Sequence, residues 1–279
     1  IALRMGLYQL LHLDRIPPHA AVSESVELVK IARKRSAAGV VNAILRKVKK
    51  TPNVFPDQAT ALSVPAWMVE RWRHAYGETE AQIIALSFLQ PPQAYYRAGR
   101  QQDIGSQSVV PLLRLEPGQL FLDLCAAPGN KTSQALETSV QAVACDLHLH
   151  RLRSMPDPGC PLVNLDATQP LPFRRIFDRI LVDAPCSGTG TLGRNPEIKW
   201  RLQPADLIDL HHRQVKILTN ALTILKPGGI LVYSTCSLEE EENEAVVRKV
   251  LGRNPDETHR RLPGVQPGDG FFAAVIRSD

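Results

Sequence analysis

Residues 120–132 read Leu120-Phe-Leu-Asp-Leu-Cys-Ala-Ala-Pro-Gly-Asn-Lys-Thr132: a short apolar run, a turn of small residues, and the start of a helix near Lys131. An uninterrupted apolar run of this length ending in an acid predicts a strand buried on both faces, followed by the helix of a βα unit. Ala126, Ala127 and Gly129 let the backbone approach a ligand closely, and Pro128 fixes the turn. The loop lacks the Gly-x-Gly-x-x-Gly spacing of dinucleotide folds, which disfavours a pyrophosphate cofactor.

Working outward, apolar runs at residues 140–145, 162–165, 180–183, 230–234 and 271–276 alternate with helical patterns. This predicts βαβ organisation with a mainly parallel sheet. Residues 204–225 predict a long helix stopped by Lys226-Pro-Gly-Gly229, and residues 239–251 another with an acidic first turn that suits the helix dipole. The run of four glutamates at 239–242 is read as a solvated helix start rather than a metal site. His211 and His212 fall inside the long helix without Cys or His partners at ligand spacing, so neither is assigned chemistry.

Upstream, Leu3, Leu7, Leu10 and Leu11, then Val26, Val29 and Ala32, then Val40, Val41, Ile44, Leu45 and Val48 recur at helical spacing. They predict a small all-helical unit ending in Arg46-Lys-Val-Lys-Lys50, with residues 51–56 as linker. Two more helices, at 65–72 and 79–89, are expected to bridge to the sheet. Trp67 and Trp72 are read as core aromatics of these helices rather than as base-stacking platforms.

A chain of 279 residues with 44% hydrophobic and 22% charged residues has the composition of a globular protein with more than one domain. No apolar stretch reaches the ~18 residues that span a membrane, and no charged-then-apolar leader precedes the first helix, so a cytoplasmic location is expected. The chain opens at Ile1 inside a helical pattern, which suggests N-terminal truncation. Residues 1–50 hold ten Lys/Arg against three Asp/Glu, more than the whole net charge of +5, so a polyanion is a reasonable partner for that region. The five cysteines, Cys125, Cys145, Cys160, Cys186 and Cys236, show no Cys-x-x-Cys pair and read as free thiols.

Two of these thiols follow apolar strands, in Asp183-Ala-Pro-Cys-Ser-Gly-Thr-Gly190 and Val232-Tyr-Ser-Thr-Cys-Ser237. Ligands and catalytic groups collect at the carboxyl ends of strands in open α/β sheets, so two such thiols are placed to face one pocket. Asp146 ends the next predicted strand, 23 positions after Asp123, where an acid can accept hydrogen bonds from both ribose hydroxyls. Asp166, in Asn164-Leu-Asp-Ala-Thr168, would then lie beside the base of an adenosine-type ligand. Each of these acids also fits a simple cap or turn.

These motifs, together with Asn195-Pro-Glu-Ile-Lys-Trp200, resemble the Sun/RsmB family of S-adenosylmethionine-dependent RNA cytosine-5 methyltransferases. Residues 2–50 are similar to that family's NusB-like RNA-binding domain, and Asp269-Gly-Phe-Phe-Ala-Ala274 resembles its closing strand. The likeness therefore covers most of the chain, and its NusB-like part favours the branch acting on small-subunit ribosomal RNA. The resemblance implies a Rossmann-like class I methyltransferase domain over residues 107–279, a helical bridge over 53–106, and an all-helical NusB-like domain over 1–52. It implies S-adenosylmethionine binding, with S-adenosylhomocysteine as product, by Cys125, Ala126, Ala127, Pro128, Gly129, Asn130, Lys131, Asp146, Asp166 and Asp183.

The chemistry implied is covalent. Cytosine C5 is a poor nucleophile, so a thiolate adds at C6, C5 becomes enamine-like and takes the methyl group, and loss of the C5 proton expels the thiol. The resemblance assigns the attack to Cys236 and assistance in product release to Cys186, with Asp183 near the base and Lys131 holding base or phosphate. Methyl transfer of this kind needs no metal, and a monomer is favoured. Pro185-Cys186 also resembles the nucleophile motif of DNA cytosine methyltransferases, but the Thr235-Cys236 motif favours RNA. A non-catalytic ribosome-assembly factor on the same fold is the rival reading.

Three departures from the family pattern are visible. Asn130 stands where Gly is usual and is expected to take a left-handed backbone that Asn tolerates. Residues 91–97 run almost directly into 107–111, where relatives carry a further small α/β segment implicated in RNA contact. The interval from Asp146 to Asp166 is short and holds Pro156, Pro158 and Pro161 where a full helix is expected.

Overall fold

The structure, a computed structural model, describes residues 1–49, 54–156 and 159–278. The chain divides into two compact units, Ile1–Pro56 and Asp57–Asp279. Lys50, residues 51–53 of the expected linker, and Pro158 lie outside the described residues.

The first unit holds three helices, α1 (Ala2–His12), α2 (Pro18–Ile31) and α3 (Ala38–Arg46). Pro18 opens α2 at its first turn, where a missing N–H costs nothing. Val22, Val29, Val41 and Leu45 form a small core against Leu3, Leu7 and Leu10; all but Val22 are marked by the helical spacing, whereas the marked Ala32, Val40 and Ile44 are exposed.

The second unit begins with α4 (Gln58–Leu62), α5 (Ala66–Tyr76) and α6 (Glu78–Ser87). Met68, Trp72 and Ile84 on these helices, with Phe88 just after α6, bury against Leu192, Leu202, Leu207 and Leu238. Trp72 is fully buried and donates its indole N–H to Glu239 at 3.1 Å, as a core aromatic with one polar handle should. Between α6 and the next helix lies only the two-stranded hairpin β1 (Tyr96–Arg97) and β2 (Arg100–Gln101), followed by α7 (Ile104–Val109).

The central sheet then alternates β3 (Leu120–Asp123), α8 (Asn130–Leu136), β4 (Gln141–Asp146), α9 (Leu149–Arg153), β5 (Leu162–Asn164) and β6 (Phe177–Asp183). It continues through α10 (Ile198–Arg201), α11 (Pro204–Thr223), β7 (Leu225–Thr235), α12 (Glu244–Leu251), β8 (Glu257–Arg261) and β9 (Phe271–Arg277). Strand order is β5-β4-β3-β6-β7-β9-β8, parallel except where β9 runs against β7 and β8. After β3 the chain winds outward through β4 and β5, then returns to β6 on the other side of β3. That reversal opens a crevice at the carboxyl ends of β3 and β6.

All six predicted strands are present, and the expected mainly parallel α/β sheet is the one observed. Two features of the central sheet differ from that reading. The polar β8, Glu-Thr-His-Arg-Arg, has no apolar alternation to mark it and is held at the sheet edge by backbone pairing with β9. Lys226-Pro-Gly-Gly229 does end the long helix, but it also lies within β7, beside a register shift between Phe177 and Arg179.

Candidate active site

Four strand ends build the site. The loop after β3 turns at Gly129, whose φ of +97° suits glycine and caps α8. Asn130 is the first residue of that helix and is not among the positive-φ residues, which corrects the expected left-handed Asn130. The preceding Gly129 already absorbs the reversal, and the Asn130 side chain donates to the Gln101 carbonyl at 3.2 Å.

A small cavity of about 70 Å³ opens here, lined by Ser106, Asp123, Cys125, Ala126, Ala127, Pro128, Asn130, Lys131 and Asp183. Asp123, 1% exposed, accepts from the Thr132 hydroxyl at 2.7 Å through Oδ2, while its Oδ1 is buried with no partner. Burial pushes its carboxyl up to about 7; the Thr132 bond opposes that, the Asp183 charge adds to it, and Lys131 offsets part. An unsatisfied buried acceptor is costly unless a ligand donates to it, so this atom is matched to an ammonium or hydroxyl group.

Asp146, at the end of β4, accepts from the backbone N–H groups of Ala127 at 3.2 Å and His148 at 2.9 Å. It thereby ties the loop after β3 to the neighbouring strand, and a carboxylate keeps lone pairs beyond those two bonds. Asp166 is exposed and lies outside the cavity lining. Its Oδ1 takes the Thr168 N–H at 2.9 Å and hydroxyl at 2.7 Å, closing a local turn, and those bonds hold its carboxyl below the usual range.

Asp183 stands in register with Ser234 of β7. Its Oδ1 accepts from the Ser234 hydroxyl at 2.8 Å, and its Oδ2 from Lys131 Nζ at 2.7 Å. Burial alone would lower the Lys131 ammonium, but Asp183, with smaller contributions from Asp123 and Cys236, outweighs it, so Lys131 remains a cation. The ammonium also sits 5.3 Å from the centre of the Phe271 ring.

The two strand-end thiols meet: Cys186 Sγ and Cys236 Sγ are 3.4 Å apart. The bond to Cys236, burial, and the charges of Cys236 and Glu242 push the Cys186 thiol well above its ordinary value. Close approach of the two loops depends on Gly190, where a Cβ would stand 2.6 Å from the Gly270 carbonyl and 2.8 Å from that of Cys236. Cys125 and Cys145 are pushed up chiefly by burial, Cys145 to about 12, which leaves them inert.

Sequence reasoning missed three contributors. Asp123 was read as a strand end rather than a ligand group, although its place directly before the loop was in view in the motif itself. Ser234 becomes visible only through the β6/β7 register. The glutamate run departs from the expected solvated helix start: Glu239 is 2% and Glu242 0% exposed, and a break at Asn243 separates a short 3-10 turn from α12. Glu239 pairs with Arg71 at 2.7 Å, and Glu242 bonds the two thiol loops.

A doubly wound sheet with an acid and a small-residue loop at its switch point, and no pyrophosphate fingerprint, is a Rossmann-like methyltransferase domain. Residues 110–264 match the 16S rRNA methyltransferase RsmB/F family and residues 1–50 the NusB family. The chain belongs to the RsmB/F family and is an S-adenosylmethionine-dependent methyltransferase.

A ribosomal RNA small subunit methyltransferase B from Klebsiella pneumoniae is 32% identical, over 98% of this chain and 80% of that protein. That alignment spans 346 positions against 279 residues here, so the relative carries at least 67 residues this chain lacks within the matched region. The short α6 to α7 hairpin and the five-residue α9 fit the two shortened intervals noted in the sequence. The crystal structure of PH0851 superposes with a TM-score of 0.81, at 22% identity over 99% of this chain and 81% of its own. NSun6 from Pyrococcus horikoshii with SFG superposes with a TM-score of 0.57, at 28% identity over 64% of this chain and 52% of its own.

Proposed function

We propose that this protein methylates C5 of a cytosine in small-subunit ribosomal RNA through a covalent adduct between Cys236 and C6. The observation that carries the reading is the 3.4 Å approach of two thiols from separate strand ends, beside the Lys131–Asp183 pair and the cofactor loop. The names of its relatives supply the RNA class.

The donor set fits S-adenosylmethionine. The orphaned Asp123 Oδ1 suits its ammonium group, Ala126 and Ala127, which line the cavity, leave room for its carboxylate, and Asp146 suits its ribose hydroxyls. Asp166, engaged with Thr168, is proposed to turn its free oxygen toward the base. When bound, the cofactor supplies an electrophilic methyl group.

The remaining tasks fall to side chains present here and, for one proton, to solvent water. Cys236, as thiolate, adds to C6 and pushes the ring electrons toward C5. After C5 takes the methyl group, loss of its proton to solvent water reforms the C5–C6 double bond, breaks the C6–S bond and returns that electron pair to Cys236 sulfur. Cys186, held as a thiol, stands within hydrogen-bond reach of Cys236 and assists that release. Lys131 and Asp183 orient the base and offset the charge that builds on it. The basic helices of the first unit are proposed to take the RNA backbone.

The direct test is incubation of the protein with small-subunit ribosomal RNA and S-adenosylmethionine, followed by bisulfite sequencing. One protected cytosine is expected; methylation at a nitrogen or at a ribose oxygen instead would overturn the reading.

Asp123 gives a second expectation, with the sign set by its raised carboxyl. The unfolded chain ionises Asp123 near 4 and the folded chain near 7, so the folded state is penalised progressively as pH rises across that interval. Asp123→Asn is therefore expected to be more stable than the parent at pH 8, by up to ~4 kcal/mol, with no gain near pH 4. Cofactor affinity should fall at the same time by about 10-fold, since the charged acceptor is gone. Urea unfolding at both pH values, with calorimetric titration of S-adenosylmethionine, checks this; an equal gain at both pH values would contradict it.

A further inference from the structure

The thiol loops are not held at 3.4 Å by their own contacts alone. Behind them sits Glu242, fully buried at the end of the 3-10 turn that follows β7. Its Oε1 accepts from the Ser187 backbone N–H at 2.8 Å and from Gln214 Nε2 at 3.0 Å. Its Oε2 accepts from the Ser237 hydroxyl at 2.5 Å and from the Ser187 hydroxyl. Ser187 and Ser237 are the residues immediately after Cys186 and Cys236. Gln214 of α11 also donates to the Pro185 carbonyl at 3.0 Å, so Cys186 is gripped on both sides. The Glu242 backbone is fixed in turn, its carbonyl accepting from the Tyr233 hydroxyl at 2.6 Å.

We infer that Glu242 is a positioning residue for methyl transfer: one carboxylate ties the loop of Cys186 to the loop of Cys236 and sets the approach of the two sulfurs. This rests on the proposed roles of the two thiols. A buried carboxylate is costly to keep, and four donors to it from two loops and a helix make removal of that one group felt at both thiols at once. Its charge has a direction as well. The ionisable groups acting on Cys186 are Cys236 just past β7, Tyr233 of β7 and Glu242; the Lys131 cation, paired with Asp183, interacts with Cys236. Glu242 thus disfavours a second negative charge on Cys186. The proton is thereby held on Cys186 while the tie keeps its sulfur beside that of Cys236.

Glu242→Gln keeps the size of the side chain and removes its charge and one acceptor. The expected result is a 10- to 100-fold fall in kcat, with KM for S-adenosylmethionine within about two-fold of the parent, because the cofactor residues do not touch Glu242. In the free enzyme, the pH midpoint for iodoacetamide alkylation of Cys186, read by peptide mass spectrometry, should move down by about one unit. Ser187→Ala leaves the charge in place, so it should lower kcat while leaving the Cys186 midpoint where it was.

A folded Glu242→Gln protein with parental kcat and parental midpoint would overturn the inference. Should that variant fail to fold, Ser187→Ala/Ser237→Ala carries the test of the tie, with kcat at least 10-fold down expected and a parental kcat overturning it. Because alkylation is read without substrate, the clamp is judged apart from the nucleophile: a shifted midpoint alongside a fully active Cys236→Ala protein would refute the nucleophile assignment and leave the clamp standing.

Discussion

Cys236→Ala is expected to abolish methyl transfer, with a fall of ~10⁴-fold or more, because the proposed mechanism assigns to that sulfur the bond to C6 that makes C5 nucleophilic. Cys186 sits 3.4 Å away but is held as a thiol by its bond to Cys236, by burial and by the charge of Glu242. Cys186→Ala should behave differently. Addition to C6 proceeds, release stalls, and a protein–RNA adduct that survives denaturing electrophoresis accumulates. Single-turnover rates and gel shifts on the two variants separate the roles. Parental activity in Cys236→Ala combined with loss of activity in Cys186→Ala would reverse the assignment.

The second large effect lies at the Lys131–Asp183 pair. Lys131 is almost completely buried, and Asp183 divides its two oxygens between Lys131 and Ser234. Asp183→Asn leaves an ammonium without its counter-charge, and breaking a buried pair in this way costs ~3 kcal/mol or more. Activity should fall by ~10²- to 10³-fold, since the group proposed to orient the base goes with it. Lys131→Met/Asp183→Asn removes both charges and should regain most of the stability with none of the activity. Thermal melts and initial rates on the two single variants and the double variant provide the cycle. Recovery of activity in the double variant would show the pair to be structural only.

Much of this site was legible before any coordinates. The alternation of apolar runs with helical spacing is a local property, and each run was long enough to be a strand and too short to be anything else. Cys125, Lys131, Asp146, Asp183, Cys186 and Cys236 each carry a recognisable neighbourhood, because loops that hold ligands at strand ends need small residues in fixed order. What escaped were groups whose role depends on a partner far along the chain. Glu242 looks like one of four solvated acids until Ser187, 55 positions earlier, is seen donating to it. Trp72 and Arg71 bond Glu239 across a separation of more than 160 residues. The left-handed residue was placed at Asn130 when the turn closes one position earlier, at Gly129, a difference set by hydrogen bonding and not by residue type alone.

The sequence by itself determined the fold class, the order of the strands along the chain and which side chains are candidates for the chemistry. Those follow from burial patterns and from side-chain chemistry, which every segment carries with it. Only the tertiary structure decided the strand order across the sheet, the register that sets Asp183 beside Ser234, and the charge environment that distinguishes two otherwise equal thiols. Coulomb interactions and hydrogen bonds depend on distance in space, and the backbone brings residues 186, 236 and 242 together only once β6, β7 and the turn after it have packed.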